Sequence, residues 1–145
     1  MFKHILLPVD GSSTSLMAVE KAIGLAQAFG STVTAIYVID PYAFSGVGAD
    51  FAYGQAQYLG AATAEGKQAL QESAALLSAA GVTVITAIIE AHAIYRGILE
   101  TASSVEADLI VMGSHGRRGL EKLVLGSVAA QVLAHAHLPI LVVRD

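Results

Sequence analysis

The sequence predicts an α/β fold: a single doubly wound parallel sheet of five strands, with helices on both of its faces. Three observations lead there. Five short runs are almost continuously aliphatic instead of alternating with polar residues, as strands covered on both faces read. Stretches with helical spacing separate them, giving the order β-α-β-α-β-α-β-α-β. The composition is 54% hydrophobic and 14% charged over 145 residues, so a large share of the chain must be packed inside. A single domain spanning residues 1–145 is expected, burying about two-thirds of its unfolded surface.

The first run, His4–Val9, leads into a cap signal, Ser12-Ser13-Thr14. The helix it opens carries Leu16, Val19, Ile23 and Ala26 on one face and stops at Gly30. Thr32–Ile39 is the second strand. A second helix, roughly Ala62 to Ala80, places Leu70, Leu77 and the smaller Ala74 on one face and stops at Gly81, ahead of the strand Val82–Ile89. The third helix has Ile94, Ile98, Leu99 and Ala102, and the strand Asp108–Met112 follows. The fourth helix, after Gly126-Ser127, has Val128, Val132 and Leu133, and Pro139–Val143 is the last strand. One segment stands apart. Asp40 to Gly60 contains Pro41, three further glycines and the aromatics Tyr42, Phe44, Phe51, Tyr53 and Tyr58, and reads as a long loop: a lid, a binding surface or a mobile connection.

Composition removes several classes of function. A net charge of -4 with eight basic residues argues against a nucleic-acid footprint, which needs clustered Lys and Arg. The absence of cysteine removes disulfides, thiolate chemistry and most structural zinc sites. The uncharged stretches Ala22–Ile39 and Ser73–Ile89 are broken by Gly30 and Gly81, so each reads as a buried helix leading into a buried strand, not as a membrane span. The apolar run near the N-terminus is short and interrupted by Pro8, unlike a secretory signal, and a cytoplasmic location is expected.

Open α/β sheets bind ligands outside the carboxyl ends of their strands, where the strand order reverses. The candidate loops are Asp10-Gly11-Ser12, Asp40-Pro41 and the segment from Gly113 to Ser127. The last is the most informative. Gly113 ends a buried strand, Gly116 and Gly119 follow, and Gly126-Ser127 opens a helix. Glycine lets backbone N–H groups approach a phosphate, and a helix N-terminus adds free N–H donors with a favourable dipole. The Ser127 hydroxyl has two uses open to it: capping its own helix or donating to a phosphate oxygen. Glycine count alone is equally explained by turns; the placement between buried strand and helix start favours phosphate. Arg117 and Arg118 either neutralise phosphates or face solvent. Asp10 reads as a ribose or magnesium contact, or as a turn residue. His115 reads as polar loop surface ahead of any catalytic role, and His92, His135 and His137 as structural.

Over nearly its full length the chain resembles the single-domain universal stress proteins of the UspA superfamily. The resemblance is carried by Ile5-Leu6-Leu7-Pro8-Val9-Asp10-Gly11-Ser12, by Leu109-Ile110-Val111-Met112-Gly113-Ser114-His115-Gly116 and by Pro139-Ile140-Leu141-Val142-Val143-Arg144. It implies a Rossmann-like sheet in the order 3-2-1-4-5. ATP-binding members carry Gly-x2-Gly-x9-Gly-[Ser/Thr], which Gly113, Gly116, Gly126 and Ser127 match in spacing. By that resemblance, Asp10 sits beside the ribose and Val38 offers backbone contacts to adenine. Pro8 and Met112 border the base, and Val128 adds an amide near the phosphates. The implied ligand is ATP, or ADP or AMP, with magnesium and with Asp10 as a possible metal contact. His137 stands where relatives often have proline, and residues 41 to 60 match nothing in the family pattern. In that strand order the apolar segment 139–143 is an edge, which suggests a homodimer through antiparallel edge pairing. A nucleotide-dependent regulatory module leads the functional readings. A slow ATPase or autophosphorylating enzyme, and a dimeric scaffold without nucleotide, remain the alternatives.

Overall fold

The computed structural model describes residues 1–42, 48–115 and 125–145. In chain order the elements are β1 (His4–Pro8), α1 (Ser13–Phe29), β2 (Thr32–Ile39), α2 (Gly48–Ala79), β3 (Val84–Glu90), α3 (Ile94–Ser104), β4 (Leu109–Gly113), α4 (Ser127–His135) and β5 (Ile140–Val143). The strands form one parallel sheet in the order β3-β2-β1-β4-β5. Successive strands are therefore added in one direction from β1 to β3 and in the other from β4 to β5, and the switch point lies between β1 and β4.

Side-chain alternation explains the continuous apolar runs. Ile5, Leu7, Val33, Ala35, Leu109 and Val111 face a core shared with α1 and α2, whereas Leu6, Ile36, Ile110 and Met112 face one shared with α3 and α4. Coverage fails at the β3 edge, where Ile85 is 53% exposed although the run reads as apolar throughout.

Local signals account for most element ends. Ser12 caps α1 by accepting the Ser15 N–H at 3.2 Å, and Gly30 closes it in the left-handed region at φ 68°. At the end of α2, Gly81 takes φ 78° and the Val82 N–H returns to Leu77 O at 3.0 Å. Val82 thus seals a helix, and β3 begins two residues later than its apolar run suggests.

Three expectations need correction. The segment read as a loop to Gly60 is helical from Gly48 onward. The buried stripe of α1 runs through Thr14, Ser15, Ala18, Val19, Ala22 and Ala26, and Leu16 is left half-exposed. Small residues win there because α1 lies close against β4 and larger ones would hold it off. On α4, Ala129 and Val132 are buried, whereas Leu133 is half-exposed. No helix among the described residues is long and apolar enough to cross a membrane.

Asp108 ties the start of β4 to the start of β1. Its carboxylate accepts the Lys3 N–H at 2.9 Å and the His4 N–H at 3.0 Å. Burial pushes the carboxyl up, but the amides of His4, Lys3 and Asp108 itself outweigh it and hold the group below its ordinary 3.8. A depressed folded value means stability that is present above the unfolded value and lost as pH falls through the folded one. Asp108→Ala is therefore expected to cost about 1 kcal/mol at neutral pH, and to make the loss of stability below about pH 4 shallower in urea titrations.

Candidate functional site

The carboxyl ends of β1, β2 and β4 and the head of α4 surround a cleft of about 540 Å³ at the switch point. Its floor on the β1 side is Pro8, Val9 and Asp10. The turn holding Asp10 is set by short-range bonds: the Ser12 N–H donates to Asp10 Oδ1 at 2.9 Å, and the Asp10 N–H donates to Ser15 Oγ at 3.1 Å. Gly11 takes φ 81° to let the chain turn from β1 into α1.

Opposite, Ser114 and His115 lock the end of β4 to three other elements. The Ser114 N–H donates to Val143 O at 2.8 Å, and Ser114 O accepts the Gly126 N–H at 2.8 Å. The buried Thr14 hydroxyl of α1 donates to His115 O. The His115 ring, 12% exposed, lies 3.6 Å from the Asp145 carboxylate. Gly126 is the N-cap of α4 and supplies no side chain to its first turn, so Ser127 is the first helical residue and does not cap its own helix. Its exposed side chain borders the cleft.

The β2 end supplies a backbone edge. The Val9 N–H donates to Ile36 O at 2.8 Å, and the Ala91 N–H to Ile39 O at 3.0 Å on the opposite side. By the alternation of a strand, the N–H and C=O of Val38 point to the β1 side, past the last paired residue of β1, Pro8. Beyond β2, the Tyr42 N–H donates to Asp40 Oδ1 at 2.8 Å and the Tyr58 hydroxyl donates to Asp40 O at 3.2 Å, bringing α2 against the cleft.

Of the residues singled out from the sequence, Pro8, Asp10, Val38, Met112, Gly113, Gly126, Ser127 and Val128 line this one cleft. Gly116 and Arg117 lie outside the described residues, as does Arg118. Ala62 on α2 and Ile94 and Ile98 on α3 also line it and were not singled out, and Tyr58 on α2 lines it from the aromatic segment read as a lid, a binding surface or a mobile connection. Ile94 and Ile98 carried only a helix-face signal, and Tyr58 sat in the segment misread as a loop. Among the described residues no cluster of three or more His, Asp or Glu converges as a metal site would.

The sequence model of the Universal stress protein family matches residues 1–144. A universal stress protein of Methanocaldococcus jannaschii is 40% identical over 144 residues, covering 99% of this chain and 83% of that one. The solved structure of universal stress protein UspA from Lactobacillus plantarum superposes with a TM-score of 0.86 at 26% identity, covering 99% of this chain and 98% of the other. A universal stress protein solved in complex with cAMP superposes at 0.70 with 25% identity, covering 99% and 97%. With a five-stranded sheet in the order 3-2-1-4-5 and a family match over residues 1–144, the chain belongs to the universal stress protein family.

Proposed function

We propose that the chain binds an adenine nucleotide in this cleft and acts in the cytoplasm as a nucleotide-dependent regulatory module of the stress response. The observation that carries the reading is the convergence of three elements at the switch point: the Asp10 turn, the Val38 backbone edge and the head of α4, whose cap residue Gly126 brings no side chain. Each suits a different part of one ligand. An N–H beside a C=O matches the acceptor and donor on one edge of adenine, and Pro8, Met112, Ile94 and Ile98 supply apolar walls for its faces. Asp10 suits a ribose hydroxyl. The first-turn amides of α4, with the Ser127 hydroxyl, suit phosphate. A relative that binds cAMP supports the same class of ligand.

ATP, or ADP or AMP, is the nucleotide proposed, with magnesium. Mg²⁺ is commonly held by one or two carboxylates together with substrate phosphates, so a single carboxylate at Asp10 fits it where a dedicated cage is lacking. Among the described residues edge strand β5 pairs only with β4, and Leu141 is 38% exposed, which supports a homodimer through residues 139–143. A light-scattering mass of one chain at micromolar concentration would refute the dimer.

The test is to denature freshly purified protein, identify released nucleotide by chromatography, and titrate emptied protein with Mg-ATP. Adenine nucleotide is expected from the wild type. Ser127→Ala is expected to weaken Mg-ATP about tenfold, the scale of one hydrogen bond to a charged group. A wild type that emerges empty and ignores millimolar Mg-ATP would sink the reading and leave a partner-binding scaffold. ADP accumulating over hours would add slow hydrolysis to it.

A further inference from the structure

The last residues of β2 are gripped from both faces of the sheet by glycines inside helices. A Cβ placed on Gly97 of α3 would stand 2.7 Å from Val38 Cγ1 and 2.9 Å from Ala91 Cβ. A Cβ on Gly66 of α2 would stand 2.8 Å from Cδ1 and 3.1 Å from Cγ of the Tyr37 ring. Tyr37 and Val38 are consecutive and point to opposite faces, Tyr37 packing against the α1 and α2 core and Val38 against the α3 and α4 core. Both glycines are buried. Glycine weakens a helix interior relative to alanine, so each needs a compensating reason for its place. Gly24 in α1 and Gly60 in α2 have nothing within 4 Å of such a Cβ, so close approach is no general property of this chain's helical glycines.

We infer that Gly97 and Gly66 are positioning residues for base recognition: by letting α3 and α2 close on the end of β2, they set where the Val38 N–H and C=O stand in the cleft. The inference rests on the nucleotide reading above and assigns to it the determinant of its base end. The argument is one of distance. An alanine at position 97 would be about 0.7 Å short of the 3.4 Å at which ordinary contact begins. Valine is stiff at χ1, so Val38 has little freedom to swing its methyl aside, and either the strand end or the α3 wall of the cleft, which carries Ile94 and Ile98, must move instead. Backbone hydrogen bonds work between about 2.7 and 3.2 Å, so a shift of that size spoils a pair made through the N–H and C=O of one residue.

A double-mutant cycle tests this. Adenosine and Mg-ATP are titrated by calorimetry into the wild type, Gly97→Ala, Val38→Ala and the double variant, with unfolding midpoints measured beside them. Gly97→Ala is expected to weaken both ligands by a similar factor, about tenfold, because the damage lies at the base they share. In the Val38→Ala background the same change is expected to cost at least about threefold less than in the wild type, since the Val38 methyl at 2.7 Å is gone and only the Ala91 Cβ at 2.9 Å remains. Gly66→Ala, acting through Tyr37 from the other face, is expected to weaken both ligands in the same direction, and serves if Gly97→Ala does not fold. Gly24→Ala is the helical control and leaves both affinities unchanged. Equal losses in both Val38 backgrounds would mean general helix damage and would overturn the inference, as would wild-type affinity in both Gly97→Ala and Gly66→Ala. A wild type that binds neither ligand sinks the nucleotide reading and this inference with it, whereas wild-type binding with a flat cycle overturns this inference alone.

Discussion

Gly126→Ala is expected to weaken Mg-ATP about a hundredfold and to cost about 2 kcal/mol of stability. The backbone at this position has φ -62°, which any residue adopts, so the whole effect comes from the added Cβ. That atom would lie 2.9 Å from His115 Cα and 3.0 Å from Ser114 O. Both are main-chain atoms in a segment already bonded to β5 and α1, so neither has a rotamer to escape into. Helix α4 must therefore back away from β4, stretching the Gly126 N–H to Ser114 O bond and carrying its first amides out of the cleft. Titration calorimetry and urea unfolding on the same variant separate the two effects. A variant destabilised as expected but binding Mg-ATP at full strength would mean that the head of α4 does not hold phosphate.

The second large effect is expected at Thr14. Its side chain is fully buried, and its hydroxyl donates to His115 O across the gap between α1 and β4. Thr14→Val keeps the shape and removes the donor, leaving that carbonyl without its bond from α1, at a cost of about 2 kcal/mol. Thr14→Ser keeps the donor and loses a methyl, at about 1 kcal/mol. Urea midpoints of the two variants decide the point: valine should be the worse replacement although it is the closer in shape. If serine proves the more damaging, packing and not the hydrogen bond holds α1 to the end of β4.

That bond also shows where sequence reading reaches its limit. The five strands were legible because each is an uninterrupted aliphatic run, and the order of elements then left few topologies. Helix ends at Gly30 and Gly81 were legible because left-handed closure selects glycine. What failed was amplitude and reach. The stripe of α1 was assigned to Leu16, Val19, Ile23 and Ala26; Val19 and Ala26 are buried in it, whereas Leu16 is left half-exposed and the small Thr14, Ser15, Ala18 and Ala22 complete it. The stretch 48–60 was assigned to a loop on the strength of its glycines and aromatics. Its alanines and glutamines, and the absence of proline after Pro41, were the helical signal that lost. In the cleft, Asp10, Gly113, Gly126 and Ser127 were legible through loop position and spacing. Tyr58, Ile94 and Ile98 reach it from helices, and no local pattern distinguishes a residue lining a cleft from one lining a core. The bond from Thr14 to His115 joins residues 101 apart, and nothing local in either segment announces it.

The position of β1 has a consequence in time. It sits between β2 and β4, and the carboxylate that fixes its far neighbour lies 105 residues further along the chain. At a synthesis rate of about 5–20 residues per second, β1 waits roughly five seconds or more after it is made before β4 exists to flank it. During that interval Leu6 and Leu7 have one neighbouring strand instead of two, and Pro8 and Asp10 face no Gly113 or Ser127. A half-made chain therefore offers no cleft for a ligand to hold together. Any stabilisation that a ligand confers by mass action begins only when the helix after residue 126 has docked, so it rewards the finished molecule and none of its precursors.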